Sequence, residues 1–398
     1  MLQRRRAALA LAAVLCIGGA TGAVLALASS GAKKARWVIH DLGTLPGLES
    51  APVAINDHGA VVGYGFGTGV AGHAFLWQNG KFVDLGRCGH YSRAVAINEH
   101  GQAVGSCGLR LDGKPDHAFL WQSGKSIDLG TSGWTSSEGV AINDRGQVVG
   151  NRFKGNSERA FLWQHGKITD LGTLGGNRSE ATAISDRSEV VGDSTTSDGR
   201  QHAFLWRRGR MIDVGSLSGS VASAFGGERN EQFQPTAINS KTQIVGLAHD
   251  PVGSYEAAFL WQKGKLTTFG TFGGRPNRAV AINEHGQVLI QTTPPTDKRG
   301  DAYLWQRGKL TKLPSFNPNV PATFARTLND QGQIAGTSLL GIGRSRPFVW
   351  QNGSMTRLPT IGRQTTPPFT SLSAINNRGQ IVGASPIHLV IWTRQTSH

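Results

Sequence analysis

From Trp37 onward, apolar residues come in short runs of four to six, rich in Val, Ile, Phe and Trp, and each run is cut by a glycine-bearing turn. Runs of that length bounded by Asn-x-x-Gly or x-Gly-Lys read as short β-strands, and no 3.6-residue periodicity persists long enough for a helix. The pattern also repeats. One unit runs Ala54-Ile55-Asn56-Asp57-His58-Gly59-Ala60-Val61-Val62-Gly63, passes through a variable stretch, and resumes as His73-Ala74-Phe75-Leu76-Trp77-Gln78-Asn79-Gly80-Lys81-Phe82-Val83-Asp84-Leu85-Gly86. Its isoleucine or leucine recurs at Ile55, Ile97, Ile142, Ile184, Ile238, Ile282, Leu328 and Ile375, at spacings of 42 to 54 residues. Such periods fit propeller blades or two-helix solenoids, and the strand-like chemistry of the runs selects the propeller.

Each unit divides into four strands: A around Val53 to Asn56, B from Ala60 to Gly63, C from His73 to Trp77 and D from Lys81 to Leu85. The A–B turn ends in glycine, and Gln78-Asn79-Gly80 between C and D is a hairpin signal. Strand C is apolar on both faces, Phe75 and Trp77 pointing one way and Ala74 and Leu76 the other, so it must be covered on both sides. A radial stack of sheets does that. The ends of the chain complement each other: Trp37 to Leu45 reads as a strand D with no A, B or C before it, while Phe369 to Asn376, Gln380 to Gly383 and His388 to Trp392 read as A, B and C with no D. A ring that completes its last blade with its first strand leaves no edge exposed there. The expected fold is therefore all-β, an eight-bladed β-propeller of four-stranded blades over residues 37–398, closed by the N-terminal strand.

These residues resemble a known family. Ala-Ile-Asn-x-x-Gly-x-Val-Val-Gly followed by His-Ala-Phe-Leu-Trp and Asp-Leu-Gly-Thr-Leu-Gly-Gly is similar to the HAF repeat of predicted extracellular bacterial proteins. The resemblance covers Trp37 to Trp392, is clearest at His73, His117 and His202, and frays at Arg159, Ala257, Asp301, Arg346 and His388. It implies export and repetition, and it brings no catalytic residues to carry over.

Composition sharpens this picture. Glycine is 54 of 398 residues and charged residues are 17%, against a usual share of about 25%. A hydrophobic content of 38% is too high for a disordered polyelectrolyte, and no G-X-Y period runs through the glycines. Of the formal charge of +15, residues 1–36 contribute Arg4, Arg5, Arg6, Lys33, Lys34 and Arg36 with no acid, which leaves 35 basic against 26 acidic residues in the body. That surplus favours polyanionic partners, but the body has no basic run of the kind a nucleic-acid face uses, so nucleic acid is not expected.

MLQRRR followed by the uncharged stretch Ala7 to Ala32 is the arrangement of a signal peptide, with Ala26-Leu27-Ala28 preparing a cut after Ala28. The alternative is an uncleaved signal anchor, the only membrane contact expected, through residues 7–29. Residues 1–36 are thus assigned to targeting, and the protein is placed outside the cell or at its surface. Such a compartment lets Cys88, in a D-to-A connection, pair with Cys107, at the start of a B-to-C connection of the adjoining blade. The closed loop of about 20 residues would stabilise by roughly 3 kcal/mol.

The D-to-A and B-to-C connections share one face and vary most in length, so binding is expected there. Aromatics interleave with arginines in these loops. Tyr91, Arg93, Trp134, Arg152, Phe153, Arg178, Arg229, Arg275 and Arg278 are the candidate binding residues, suited to stacking on and pairing with an acidic sugar or another envelope polyanion. The repeated histidines occupy one strand position in different blades and so do not converge on a metal. Gly67-Thr68-Gly69-Val70-Ala71-Gly72 matches a dinucleotide fingerprint by letter but lies between strands, with no helix to receive a pyrophosphate. No metal and no cofactor are expected. The functional expectation is a monomeric, non-enzymatic binding or structural propeller with an extracellular or envelope ligand. Its rival is a propeller-fold hydrolase or lyase working from the central depression where the A strands converge. The A-strand starts at Pro52-Val53, Val95, Val140, Thr182, Thr236, Val280, Thr327 and Ser373 are apolar or hydroxyl-bearing, which counts against the rival.

Overall fold

A computed structural model describes residues 36–46, 48–67, 70–86, 91–109, 115–215, 232–249, 256–292, 300–319, 322–341, 344–361, 371–385 and 388–395. Residues 1–35, and with them the signal segment and its cleavage site, lie outside the described residues, as do Cys88 and Arg229. Every regular element among the described residues is a β-strand. No described helix is long and apolar enough to cross a membrane. The chain has the all-β architecture of a propeller, built from antiparallel sheets of four strands. Six such sheets stand separately, and two more are joined into one eight-stranded set by a single parallel bridge between Glu158 and Arg178.

The first unit shows why the sequence folds locally as it does. Glu49–Ile55, Val61–Gly67, Val70–Gln78 and Lys81–Asp84 pair in that order. Strand C meets strand D through a two-residue turn whose residues, Asn79 at φ 52° and Gly80 at φ 77°, are both left-handed, as a type I′ hairpin requires. Strand A meets strand B through an asparagine turn: Asn56 Oδ1 accepts the backbone N–H of His58 at 3.1 Å and of Ala60 at 2.9 Å. These side-chain bonds add to backbone bonds from Asn56 N–H to the Ala60 carbonyl at 3.1 Å and from Gly59 N–H to the Asn56 carbonyl at 3.0 Å, and together they close the turn without helix. Strand A also carries a bulge in every unit, at the step from Pro52 to Ala54 in the first and from Ala94 to Ala96 in the second. A bulge leaves one residue unpaired and re-aims its side chain.

The core lies between sheets rather than inside any one of them. Ala74, Leu76 and Leu85 of the first unit pack with Ala94, Ala103 and Phe119 of the second, and equivalent clusters follow from unit to unit. One further cluster joins Val382 and Leu389 of the last unit to Val61 and Phe75 of the first. Strand C supplies both layers, as its two-faced apolar pattern predicts, and burying each Phe or Leu contributes roughly 1.5–3 kcal/mol. The complementary chain ends also meet: Arg36–Gly43 pairs antiparallel with His388–Gln395, with Ile39 opposite Trp392.

A ladder of asparagines ties the turn ends of the A strands together. Asn56 Nδ2 donates to the carbonyl of Asn98 at 3.0 Å, Asn98 to Asn143, and Asn143 to Ser185. Asn239 donates to Asn283, Asn283 to Asn329, Asn329 to Asn376, and Asn376 to Asn56 at 2.8 Å. Ser185 has no amide to pass the chain of bonds on to Asn239. At the outer rim, His73, His117, His202 and His388 meet Asp84, Asp128, Asp213 and Asp41 across the C–D pair, while the other oxygen of each aspartate caps the turn that follows. In the sixth unit the charges are exchanged, with Asp301 at the histidine position and Lys312 at the aspartate position, 2.8 Å apart. Cys107 is disulfide-bonded, and its expected partner Cys88 lies outside the described residues.

Candidate active site

At the end opposite the asparagine ladder, one strand position recurs in every unit two residues before the bulge. It is held by Ala51, Arg93, Glu138, Glu180, Gln234, Arg278, Phe324 and Ser371, each opposite a B-strand partner in the same register. None of these side chains is fully buried. A cavity of about 570 Å³ opens there, lined by A-strand residues of the first, second, sixth, seventh and last units, including Arg93, Arg278 and Arg326. The A strands therefore gather around a common depression, and its rim is charged. The expectation of apolar or hydroxyl-bearing starts is corrected on this point. Apart from Pro52, the residues considered lie at or after the bulge, while the charged position comes two residues before it, and in the seventh unit Arg326 itself is the bulged residue.

The third and fourth units carry carboxylates at the same A-strand position, Glu138 and Glu180, with further acids beside them. Glu180 stands directly opposite Asp193 on the neighbouring strand, and Glu138 stands opposite Asn151, whose Nδ2 donates to it at 3.1 Å. Asn151 Oδ1 in turn accepts the N–H of Ala181 at 2.8 Å, which fixes the two sheets against each other. Arg178 bridges two of the acids: its Nε reaches Glu158 at 2.7 Å and its Nη2 reaches Glu180 at 2.8 Å. The backbone bridge between Glu158 and Arg178 holds the same pair from behind. One guanidinium thus sets two carboxylates side by side along one edge, the fork geometry in which arginine exceeds lysine.

Their environments differ. Glu158 is largely buried, and that burial, reinforced by the Glu180 and Glu138 charges against the pull of Arg178, pushes its carboxyl up to about 7. Burial likewise raises Asp193 to about 6, with the Glu180 charge adding to it and the Gln201 amide, 2.5 Å away, opposing it. Glu138 is also raised, mainly by burial, against its bond from Asn151. Arg93, at the same position in the second unit, pulls Glu138 the other way, which links the carboxylates to the arginine-lined cavity. A buried carboxyl that holds its proton near neutrality beside a more exposed carboxylate is the arrangement that acid–base catalysis uses.

The candidate binding residues separate into three groups. Arg93 and Arg278 line the cavity, with Arg93 5.1 Å from the Tyr64 ring, and Arg178 organises the carboxylates. Tyr91 packs beside Tyr64, 6.5 Å between ring centres, where burial raises its hydroxyl. Arg152 is buried instead, paired with Asp170 at 2.8 Å and lying 5.2 Å from the Trp134 ring, so this pair packs the third unit. Phe153 is half-buried on the same strand, and Arg275 is half-buried beside Phe272, which stacks on Tyr303. Glu138, Glu158, Glu180 and Asp193 were missed. The signal for Glu138 and Glu180 is a glutamate after serine at Ser137-Glu138 and Ser179-Glu180, where the other units carry Ala, Arg, Gln, Phe or Ser.

No protein-family model matches the sequence, and no curated protein matches it. Solved structures do resemble the fold. A puromycin-hydrolyzing peptidase of Mycobacterium tuberculosis is similar with a TM-score of 0.51 at 9% identity, over 85% of this chain and 57% of that one. The β-propeller domain of the Trilobed protease from Pyrococcus furiosus gives 0.46 at 9% identity, over 87% and 97%. An acylaminoacyl peptidase of Pyrococcus horikoshii gives 0.49 at 10% identity, over 86% and 58%. The chain thus spans a little over half the length of the two whole peptidases. The expectation of a non-enzymatic binding or structural propeller is corrected on this finding: the fold is shared with the puromycin-hydrolyzing peptidase, so it gives no ground for setting the rival reading aside. At such identities the likeness itself concerns the fold alone, so the reaction has to be argued from this chain's own residues.

Proposed function

We propose that the chain closes as an eight-bladed ring and acts as a hydrolase of glycosidic bonds from the mouth of its central depression. The ring of eight is supported by the eight repeated units, by the pairing of Arg36–Gly43 with His388–Gln395, and by the hydrogen bond from Asn376 back to Asn56. The His-Ala-Phe triplets and the uncharged Ala7–Ala32 stretch support the HAF-repeat resemblance and export as parts of the same proposal.

A single observation carries the reaction class: Glu158 and Glu180 sit on one edge of the Arg178 guanidinium, the first buried and raised to about 7, the second half-exposed. In the proposed step Glu158 gives its proton to the leaving oxygen as the glycosidic C–O bond breaks. In the same step a Glu180 oxygen bonds to the anomeric carbon, as two carboxyl groups held close on one guanidinium edge allow; water then displaces it, giving its proton to Glu158. Arg178 fixes the orientation of both groups, and Asp193 shapes the charge around Glu180. The test is turnover of a panel of aryl glycosides, aryl esters and aminoacyl anilides by the full chain and by Glu158→Gln. Glycoside turnover that falls by about 100-fold in the variant is expected, the usual weight of a general acid. Turnover of esters or anilides that ignores the substitution overturns the assignment.

A further inference from the structure

Resting on that reading, we infer that the arginine side of the same depression is an anion subsite, and that the substrate is an acidic saccharide. Arg93, Arg278 and Arg326 line one cavity of about 570 Å³, a size that holds a small oligosaccharide segment. They come from three A strands, in the second, sixth and seventh units, so their convergence follows from the fold and not from one basic run. All three are exposed, and among the described residues no carboxylate forms an ion pair with any of them. The fourth and third units carry carboxylates at the position where the second and sixth carry arginine. The A-strand ends are thus polarised, with carboxylates in the third and fourth units and guanidinium groups without an ion pair among the described residues in the second, sixth and seventh.

Aromatic surface stands beside those charges. Arg93 lies 5.1 Å from the Tyr64 ring, Tyr64 and Phe66 are 6.1 Å apart, and Phe66, 42% exposed, opens onto the same cavity as Phe324. Guanidinium groups grip carboxylates or sulfate esters in a bidentate fashion, and flat apolar rings stack on sugar faces. Together they recognise a sugar that carries an anion. A peptide with a free terminal carboxylate would use the arginines but leaves the paired carboxyl groups of Glu158 and Glu180 without a glycosidic bond to work on.

The experiment measures binding, so that it stands apart from turnover. Full-length protein is titrated calorimetrically with an oligogalacturonate, its fully methyl-esterified counterpart, a sulfated oligosaccharide of similar length and an acidic oligopeptide. The free acid is expected to bind at least about tenfold more tightly than the ester, and to weaken as salt rises. Tighter binding of the sulfated sugar assigns the anion to a sulfate ester and supports the subsite equally. The double variant Arg278→Ala/Arg326→Ala should lose that tenfold preference, while Arg307→Ala, at the opposite hairpin end, should keep it. Equal affinity for acid and ester, an unchanged double variant, or a preference for the peptide overturns the inference. Binding that survives without any glycoside turnover would instead refute the proposed reaction and leave the subsite standing.

Discussion

The two ends of strand A obey opposite rules. At the turn end, seven of eight units place asparagine at the same position, from Asn56 to Asn376, each nearly buried and each bonded both to its own turn and to the next unit. At the other end, five residues away, the equivalent position holds alanine, arginine, glutamate, glutamine, phenylalanine or serine. Repetition marks the end whose side chains satisfy buried backbone groups, because there the geometry is the same in every unit and only one amide fits it. Where the strands open into the depression that demand is absent, and residues are free to differ. Uniformity therefore reads as scaffold, and variation at a structurally fixed position reads as chemistry.

The largest effect should come from breaking the uniform end. In Asn376→Ala the bond to the Asn56 carbonyl is lost, together with the two backbone N–H groups of Arg378 and Gln380 that Asn376 accepts. Leaving buried partners unpaired costs about 1–3 kcal/mol. The joint between the first and last units should weaken by about 3 kcal/mol, read as a lowered denaturant midpoint. An unchanged midpoint would mean that the ladder decorates the joint between these sheets and does not hold it. Turnover per folded molecule should stay as in the parent protein.

Breaking the variable end should do the reverse. Glu158→Gln is expected to cost about 100-fold in turnover, near 2.7 kcal/mol of barrier, with stability kept or improved. Its carboxyl is raised to about 7 in the fold, above its ordinary value of 4.5. The folded protein therefore binds more protons than the unfolded chain between these values, and stability falls as pH rises from about 4.5 to about 7. Thermal denaturation followed from pH 5 to pH 8 should show a shallower decline in Glu158→Gln than in the parent. Activity that depends on the protonated acid should fade as pH rises through about 7. A pH profile identical in both proteins would remove Glu158 from the proposed step.

Much of the scaffold is legible in the amino-acid sequence, because period-two burial, Asn-x-x-Gly turns and Asn-Gly hairpins are local signals. The pairing of the chain ends could be read from a strand D with no companions at Trp37 and a unit lacking its strand D at Trp392. The site was less legible for a physical reason. The bulge near Val53 shifts the inside-outside alternation by one residue, so a count along strand A from the wrong side places Val95 and Val140 at the mouth, hides Glu138 and leaves Arg93 to be read as a loop residue. Glu158 comes from strand C, and its meeting with Glu180 depends on the parallel bridge between two sheets, a contact for which no residue spacing gives a sign. Arg152 illustrates the opposite error. It looks like a loop arginine beside an aromatic, yet it fills a place where the first unit has Gly65 and the fourth has Ser194, and Asp170 draws it inward.

The smallest predicted effect tests the comparison from within the scaffold. Ser185 is the one interruption of the asparagine series: it accepts the amide of Asn143 at its carbonyl, but nothing passes from its side chain to the fifth unit. Substitute contacts span that joint, with Thr242 donating to Glu189 at 2.7 Å and Arg187 reaching the Ser240 carbonyl at 3.3 Å. Installing the common residue as Ser185→Asn places an amide between the Asn239 carbonyl and the Glu189 side chain, the counterpart of the glutamine that Asn143 reaches in Gln147 at 2.8 Å. One added buried bond is worth about 1 kcal/mol, since the substitute contacts already hold the sheets together. In a chain of this size the melting temperature should rise by about 2 °C. A fall would mean that the fourth and fifth units are spaced differently from the others, and that serine stands there because the amide does not fit.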